Sequence, residues 1–177
     1  MTTIKLITKI NASIETVFDL NRDTDVYQLS TNQSNDKAIA GVTSGLINKN
    51  ERVTWRGKHF GFYLTHKSII SKIEIPNYFI DEMMEGNFKS FKHKHTFSEE
   101  NGIVTMIDKL LYEAPFGIFR KLFDQLILKR YLTNFFLIRN QFLKELAENQ
   151  QQNPPQYRNT FYPKSRIVFR FFFMCKK

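Results

Sequence analysis

Hydrophobic and polar positions alternate through most of the first two thirds of the chain. The segment Thr3–Ile10 shows this period of two, which predicts a β-strand. Asn101-Gly102 separates two later alternating runs, and Asn-Gly in that position is a strong hairpin signal. Together with the first segment, six further segments predict seven antiparallel strands: Ala38–Leu46, Arg52–Phe60, Tyr63–Glu74, Tyr78–Glu85, Phe88–Phe97 and Ile103–Tyr112.

Two short helices are predicted between the first and second strands. Asn11 or Ser13 can cap the first, which runs through Leu20, because either side-chain oxygen accepts an early helical N–H. The spacing of apolar residues within Asp23–Gln33 predicts the second.

A long helix is predicted from Phe116 to Glu148, where proline is missing and glycine occurs only at the start. Its apolar stripe changes sides near Leu126–Lys129. Either the helix bends there or its first turns pack against another surface. A helix buried on both sides at mid-length explains the pattern equally well.

We expect one folded domain, residues 1–148, and a tail, residues 149–177. Gln150–Pro155 has the composition of a linker. The apolar run Ile167–Met174 is too short to cross a membrane, but it could add an edge strand, anchor at an interface or remain disordered. We expect the tail to be disordered or loosely packed, with peripheral membrane contact as one use.

The net charge of +9 suggests nucleic-acid binding at first sight, but its distribution argues against it. Six basic residues and no acidic one follow Glu148, which leaves 20 basic and 17 acidic residues in the body. A nearly neutral body does not favour a nucleic-acid surface. The single Cys175 permits no internal disulfide, and no signal peptide or long apolar span is evident, so we expect a cytoplasmic protein.

Several segments resemble the START-like, or polyketide cyclase and Bet v 1-like, superfamily. The resemblance covers residues 1 to about 147 and includes the element order as well as local sequence. The segments that carry it are Val53–Gly61, Pro76–Glu82 and Asp108–Pro115, followed by Gly117, Arg130-Tyr131-Leu132 and Arg139.

The resemblance implies an α+β helix-grip fold, in which a seven-stranded antiparallel sheet wraps around a long C-terminal helix. It also implies a cavity between sheet and helix for a small apolar molecule. The superfamily contains lipid and sterol carriers, hormone receptors, quinone-binding proteins and cyclases, and it has no shared catalytic motif. The fold alone therefore does not select a function.

Strand alternation assigns candidate residues to the cavity. The chain has 18 phenylalanines, which suit a bulky core or an apolar wall. All four histidines fall on predicted strands, and each lies on the strand face that is predicted to point inward. The predicted ligand-binding side chains are Trp55, His59, His66, Glu82, Phe91, His93, His95, Asp108, Tyr112, Phe135, Arg139 and Phe142.

The inward polar residues have both structural and functional interpretations. A histidine beside Asp108 or Glu82 could transfer protons, although buried His–carboxylate pairs also occur simply to satisfy both groups. His93 and His95 could present two rings to one ion, but Lys92 and Lys94 give no support, so neither metal nor cofactor is predicted. Arg139 lies within the apolar stripe and needs an acidic partner, a ligand anion or an exit to the sheet edge.

The sequence favours a binder or carrier of a lipid, quinone or polyketide-like molecule, more than an enzyme. A cyclase or aromatase with an inward histidine or glutamate as general acid and base is the first alternative. A membrane or protein docking module is the second. The oligomeric state is not predicted.

Overall fold

Seven strands form one antiparallel sheet in the order β1-β7-β6-β5-β4-β3-β2. The computed structural model describes residues 1–114 and 127–152. The elements are β1 (Thr2–Ile10), α1 (Ile14–Asn21), α2 (Thr24–Ser30), β2 (Lys37–Gly41), β3 (Arg52–His59), β4 (Phe62–Glu74), β5 (Tyr78–Glu85), β6 (Ser90–Glu100), β7 (Ile103–Glu113) and α3 (Lys129–Gln152). The predicted helix-grip arrangement is confirmed.

The two short helices begin at side-chain caps. Ser13 caps α1, because its Oγ accepts a hydrogen bond from the Thr16 amide at 3.3 Å. Asp23 caps α2 by accepting from the amides of Asp25 and Val26 at 2.8 and 3.2 Å. The cap choice for the first helix is thereby settled in favour of Ser13.

Strand β2 ends at Gly41, earlier than the predicted Leu46. Gly41 has φ of +76°, and a Cβ at this position would lie 2.1 Å from the Arg52 carbonyl oxygen. A bulge between Ala38 and Ala40 shifts the pairing with β3 as well. The close, left-handed backbone at Gly41 therefore ends the regular ladder, which alternation alone does not reveal.

Helix α3 packs along the sheet beside β1. It is preceded by a wider, π-type turn at residues 127 and 128, next to the predicted change of apolar face. Its end at Gln152 lies beyond the predicted boundary at Glu148. The first part of the predicted helix, residues 116–126, and the tail from residue 153 lie outside the described residues. None of the described helices is long and apolar enough to cross a membrane.

The core between sheet and helices consists of two apolar clusters with a polar layer between them. One cluster contains Phe97 and Met106 and extends to Leu143 and Ala147 of α3. The other contains Leu110 and Tyr112 and extends to residues 128–136. Residues between the two clusters on β6, β7 and α3 are polar and buried: His93, His95, Asp108, Arg139 and Asn140.

Candidate functional site

The polar layer contains a buried cluster formed by His93, His95, Asp108 and Asn140. His95 pairs in register with Asp108 on the neighbouring strand, and His93 lies two residues away on the same face. Asn140 reaches the same carboxylate from α3. The cluster is almost inaccessible, with Asp108 at 0% exposure and each histidine at 3%. The regular sheet thus brings together three of the predicted site residues.

Asp108 is the hub of this cluster. Its Oδ1 lies 2.9 Å from His93 Nε2 and 2.8 Å from His95 Nδ1. Its Oδ2 accepts a 2.7 Å hydrogen bond from Asn140 Nδ2. The His93 contact is a hydrogen bond, whereas His95 Nδ1 has no hydrogen-bond geometry to any described residue.

Burial and mutual contact set the charges of this cluster. Burial raises the pKa of Asp108, but the hydrogen bond from His93 and the charges of both histidines outweigh it and hold that pKa well below its usual value. Burial, assisted by repulsion from His93, lowers the pKa of His95 to about 3. At neutral pH, Asp108 is therefore a carboxylate and His95 a neutral imidazole.

Arg139 is a buried cation whose hydrogen bonds go to neutral oxygens. Its Nη2 donates to the carbonyl and the side-chain oxygen of Asn21 at 3.2 and 2.9 Å, and its Nη1 donates to Asn140 Oδ1 at 3.4 Å. The guanidinium also lies over the Tyr27 ring at 5.5 Å. Its Nε makes no hydrogen bond within the described part of the chain. Arg139 therefore belongs to the cavity wall and has one buried donor that no described residue satisfies.

A cavity of about 690 Å³ lies between the sheet, α2 and α3. Its wall includes Trp55, Phe79, Phe91, Phe135 and Phe136, interrupted by a small number of polar groups. This size and this mixture are typical of small-molecule sites.

A second polar group, the rim cluster of Asp36, His59 and Tyr131, borders the same cavity. His59 Nδ1 lies 2.7 Å from the Tyr131 hydroxyl, and its Nε2 lies 3.1 Å from Asp36 Oδ1. Tyr131 packs against Phe60, which is solvent-exposed. The rim cluster is thus closer to solvent than the buried cluster.

The His59 ring of the rim cluster bridges a phenol and a carboxyl group. Burial, together with the charge of Asp36, raises the pKa of Tyr131, so the phenol stays protonated. Its hydroxyl forms a hydrogen bond with His59 Nδ1, and His59 Nε2 forms one with Asp36 Oδ1. The Tyr27 hydroxyl donates weakly to the other oxygen of Asp36, at 3.5 Å.

Asp81 and His66 contribute further polar groups to the wall. Asp81 pairs in register with His93, and its Oδ1 is buried without a hydrogen-bond partner among the described residues. His66 packs edge-on against Phe91. Burial lowers the pKa of His66, which favours the neutral imidazole.

The cavity wall contains eight of the twelve predicted residues: Trp55, His59, His66, Phe91, His93, His95, Phe135 and Arg139. Asp108 lies behind the wall, in contact with two of them. The inward placement of Glu82 is wrong, because Glu82 faces outward and forms a 2.7 Å ion pair with Lys92. The inward residues of β5 are Phe79 and Asp81. The strand carries apolar and acidic side chains on both faces, so its alternation does not identify the inner one.

Two aromatic predictions also need correction. Tyr112 is inward but fully buried in the apolar core, where it packs against Phe88 and Phe91, and it does not reach the cavity. Phe142 is half-buried against the core cluster of Leu143 and Ala147, away from the cavity wall. Plain core packing explains both positions.

Sequence reasoning missed Tyr27, Asp36, Asp81 and Tyr131 as wall residues. Asp36 follows α2 in a non-repetitive segment, for which no periodicity indicates direction. Gly57 provides the one usable signal, because a Cβ there would lie 1.5 Å from Asp36 Oδ1. A glycine within a strand often marks such a close approach.

No protein-family model and no curated protein matches the sequence. Solved structures do match the fold. A protein of Thermus thermophilus has a TM-score of 0.63 and 16% identity, over 82% of this chain and 99% of its own. A START superfamily protein from Mycobacterium smegmatis has a TM-score of 0.63 and 10% identity, over 83% of this chain and 97% of its own. Ginseng major latex-like protein 151 from Panax ginseng has a TM-score of 0.57 and 15% identity, over 82% of this chain and 97% of its own.

These likenesses, which span the body of the chain, agree with the architecture described above. The chain therefore has the START-like and Bet v 1-like helix-grip fold, as its sequence predicted. At these identities the similarity concerns the fold, and the function has to be argued from the cavity itself.

Proposed function

We propose that the protein binds a small, mainly apolar molecule in the 690 Å³ cavity and acts as its carrier or sensor. The observation that carries this proposal is the presence of two unsatisfied polar atoms, Arg139 Nε and Asp81 Oδ1, in an aromatic-walled space. Buried polar groups are normally hydrogen-bonded, so an occupant that pairs with them explains both atoms.

The two atoms also restrict the chemistry of the ligand. Arg139 Nε–H requires an acceptor, such as a carbonyl, hydroxyl or carboxylate oxygen. The unpaired Asp81 oxygen is suited to a donor such as a hydroxyl. A hydroxylated aromatic, polyketide-like or quinol-type molecule offers both groups on an apolar frame. A lipid fits if its polar end carries both.

The first test is native mass spectrometry of the freshly purified full-length chain, followed by organic extraction. A co-purifying molecule of a few hundred daltons, with oxygen-bearing groups on an apolar frame, is expected. Trp55 is the single tryptophan and lies on the wall, packed at a tilt against Tyr27 with 4.2 Å between ring centroids. Its fluorescence should therefore report occupancy when the extracted molecule or anilinonaphthalene sulfonate is titrated in.

A matched pair of variants separates cavity binding from surface adsorption. Val53 is buried on the cavity wall, and V53F adds volume there, whereas Ile7 is exposed on β1 and I7F adds the same ring type outside. We expect V53F to weaken binding at least tenfold and I7F to leave it unchanged. Equal affinity in both variants, with folding verified by circular dichroism, would contradict cavity binding.

The chain of Tyr131, His59 and Asp36 favours a second candidate, proton transfer to a bound molecule. A phenol linked to an imidazole and a carboxylate can deliver and recover a proton at the cavity wall. If so, the extracted ligand should change mass or absorbance on incubation with the protein, and Y131F should abolish the change. An unchanged ligand leaves the carrier proposal standing and removes this candidate.

A further inference from the structure

We propose that His93, His95 and Asp108 form a binding site for one divalent transition-metal ion at the cavity wall. The three donor atoms, His93 Nε2, His95 Nδ1 and Asp108 Oδ1, lie within 4.8 Å of one another. Two imidazoles and a carboxylate are a common protein donor set for zinc and for ferrous iron.

The distances between the donors suit a shared ion. Metal–ligand bonds of about 2.0–2.1 Å place neighbouring ligand atoms about 3.3–3.4 Å apart in tetrahedral zinc coordination. Asp108 Oδ1 lies 2.9 Å from His93 Nε2 and 2.8 Å from His95 Nδ1. Only small side-chain movements are needed to admit the ion between the three atoms.

His95 provides an independent observation. Its ring is 3% exposed, yet its Nδ1 makes no hydrogen bond with a described residue, even though Asp108 Oδ1 is 2.8 Å away. A buried nitrogen that lies close to an oxygen but is misaligned for hydrogen bonding is suited to bind a metal ion together with that oxygen.

The surrounding residues hold the donors in place. Asn140 donates to Asp108 Oδ2 at 2.7 Å, which leaves Oδ1 as the single ligand oxygen. Phe79 stacks on the His95 ring at 4.2 Å, and Phe136 packs edge-on against His93 at 4.9 Å. Such second-sphere contacts orient ligands and raise metal affinity.

The charges around the cavity favour a cation. Asp81, whose Oδ1 lacks a partner within the described residues, lies opposite His93 in the sheet. The nitrogen donors select transition metals over magnesium or calcium, which prefer oxygen ligands. Because both histidines line the cavity, a remaining coordination position would face its interior.

The sequence alone did not predict this site, because His93 and His95 are only two donors. Strand pairing supplies the third, Asp108, directly opposite His95. The inference does not depend on the proposed ligand, since metal binding can be measured in its absence.

The test uses the full-length chain with C175S, so that the lone thiol cannot bind the metal. After treatment with a chelator and its removal, Zn²⁺ is titrated by calorimetry and Co²⁺ by visible absorption. One equivalent should bind, and H93Q and H95Q should each weaken binding at least tenfold. H59Q and H66Q are matched controls, because they remove the other two histidines and should leave the affinity unchanged.

Zinc-edge X-ray absorption of the C175S protein, with its four histidines intact, keeps the proposal testable if H93Q or H95Q fails to fold. The absorption spectrum should show two imidazoles among the zinc ligands. The proposal is overturned if that protein binds neither metal, if its zinc shell lacks imidazoles, or if folded H93Q and H95Q bind as tightly as H59Q and H66Q.

Discussion

The buried cluster and the rim cluster use the same chemistry in different settings. Each joins histidine to an aspartate, and each borders the same cavity. The buried cluster lies on paired strands and contacts α3, with Asp108 at 0% exposure. The rim cluster combines a non-repetitive segment, the end of β3 and the start of α3, and the His59 side chain is 21% exposed.

This difference indicates which cluster contributes more to the stability of the fold. In the interior, removing one partner leaves the others desolvated and unpaired, which strongly lowers the free energy of unfolding. Near the surface, water can replace a lost partner at little cost. We therefore expect the buried cluster to dominate stability and the rim cluster to be adjustable, for example toward a ligand.

The largest effect should come from D108A. The substitution leaves His93 and Asn140 without a hydrogen-bond partner in the core and removes the carboxylate that stabilises the charge of Arg139. We expect a loss of about 3–5 kcal/mol in the free energy of unfolding, as for other broken buried pairs. Urea denaturation followed by circular dichroism measures it. D108N keeps the shape but removes the charge, so it should lose less, and equal losses for the two variants would mean that the charge accounts for the whole effect.

The next effect should come from G57A. A Cβ at this position would lie 1.5 Å from Asp36 Oδ1, so Asp36 must move away from His59. We expect a loss of about 1–3 kcal/mol, typical of overpacking. G86A is the matched control, because its Cβ would meet the flexible end of Met83 at 2.7 Å. A G57A loss no larger than that of G86A would show that Asp36 relocates freely.

The same contrast explains how far the sequence could predict the structure. The alternation of β6 and β7 placed His93, His95 and Asp108 inward, because regular strands project side chains with a period of two. On β5 the same reasoning selected Glu82 instead of Asp81, since both faces carry similar residues.

The rim cluster could not be assembled from the sequence at all. Asp36 belongs to a segment whose path is fixed by tertiary contacts, such as the 2.8 Å hydrogen bond from the Lys58 amide to the Ser34 carbonyl. Tyr131 belongs to the family-like segment Arg130-Tyr131-Leu132, and that resemblance predicts no partner for its hydroxyl. The local sequence pattern determines which way side chains point within a strand or helix. Contacts between elements depend on the tertiary fold, which the pattern does not contain.

A smaller effect is expected for Y131F. The variant keeps the ring packed on Phe60 but removes the hydroxyl that forms a hydrogen bond with His59. Because Tyr131 and His59 are partly exposed, we expect a loss of about 0.5–1.5 kcal/mol, the usual net value of one hydrogen bond. Y63F, on an exposed strand end, is the control and should be neutral. A Y131F loss as large as that of D108A would remove the distinction between the two clusters.

The smallest effect concerns pH and His66. Burial lowers the pKa of His66 in the folded protein below its value of about 6.5 in the unfolded chain. The unfolded state therefore binds more protons, so His66 lowers stability progressively as pH falls below about 6.5. H66Q should lose less stability than the wild type between about pH 7.5 and about pH 5, with other histidines contributing equally to both. Parallel urea midpoints for the two proteins across this range would show that His66 is hydrated and that the cavity wall beside Phe91 is accessible to water.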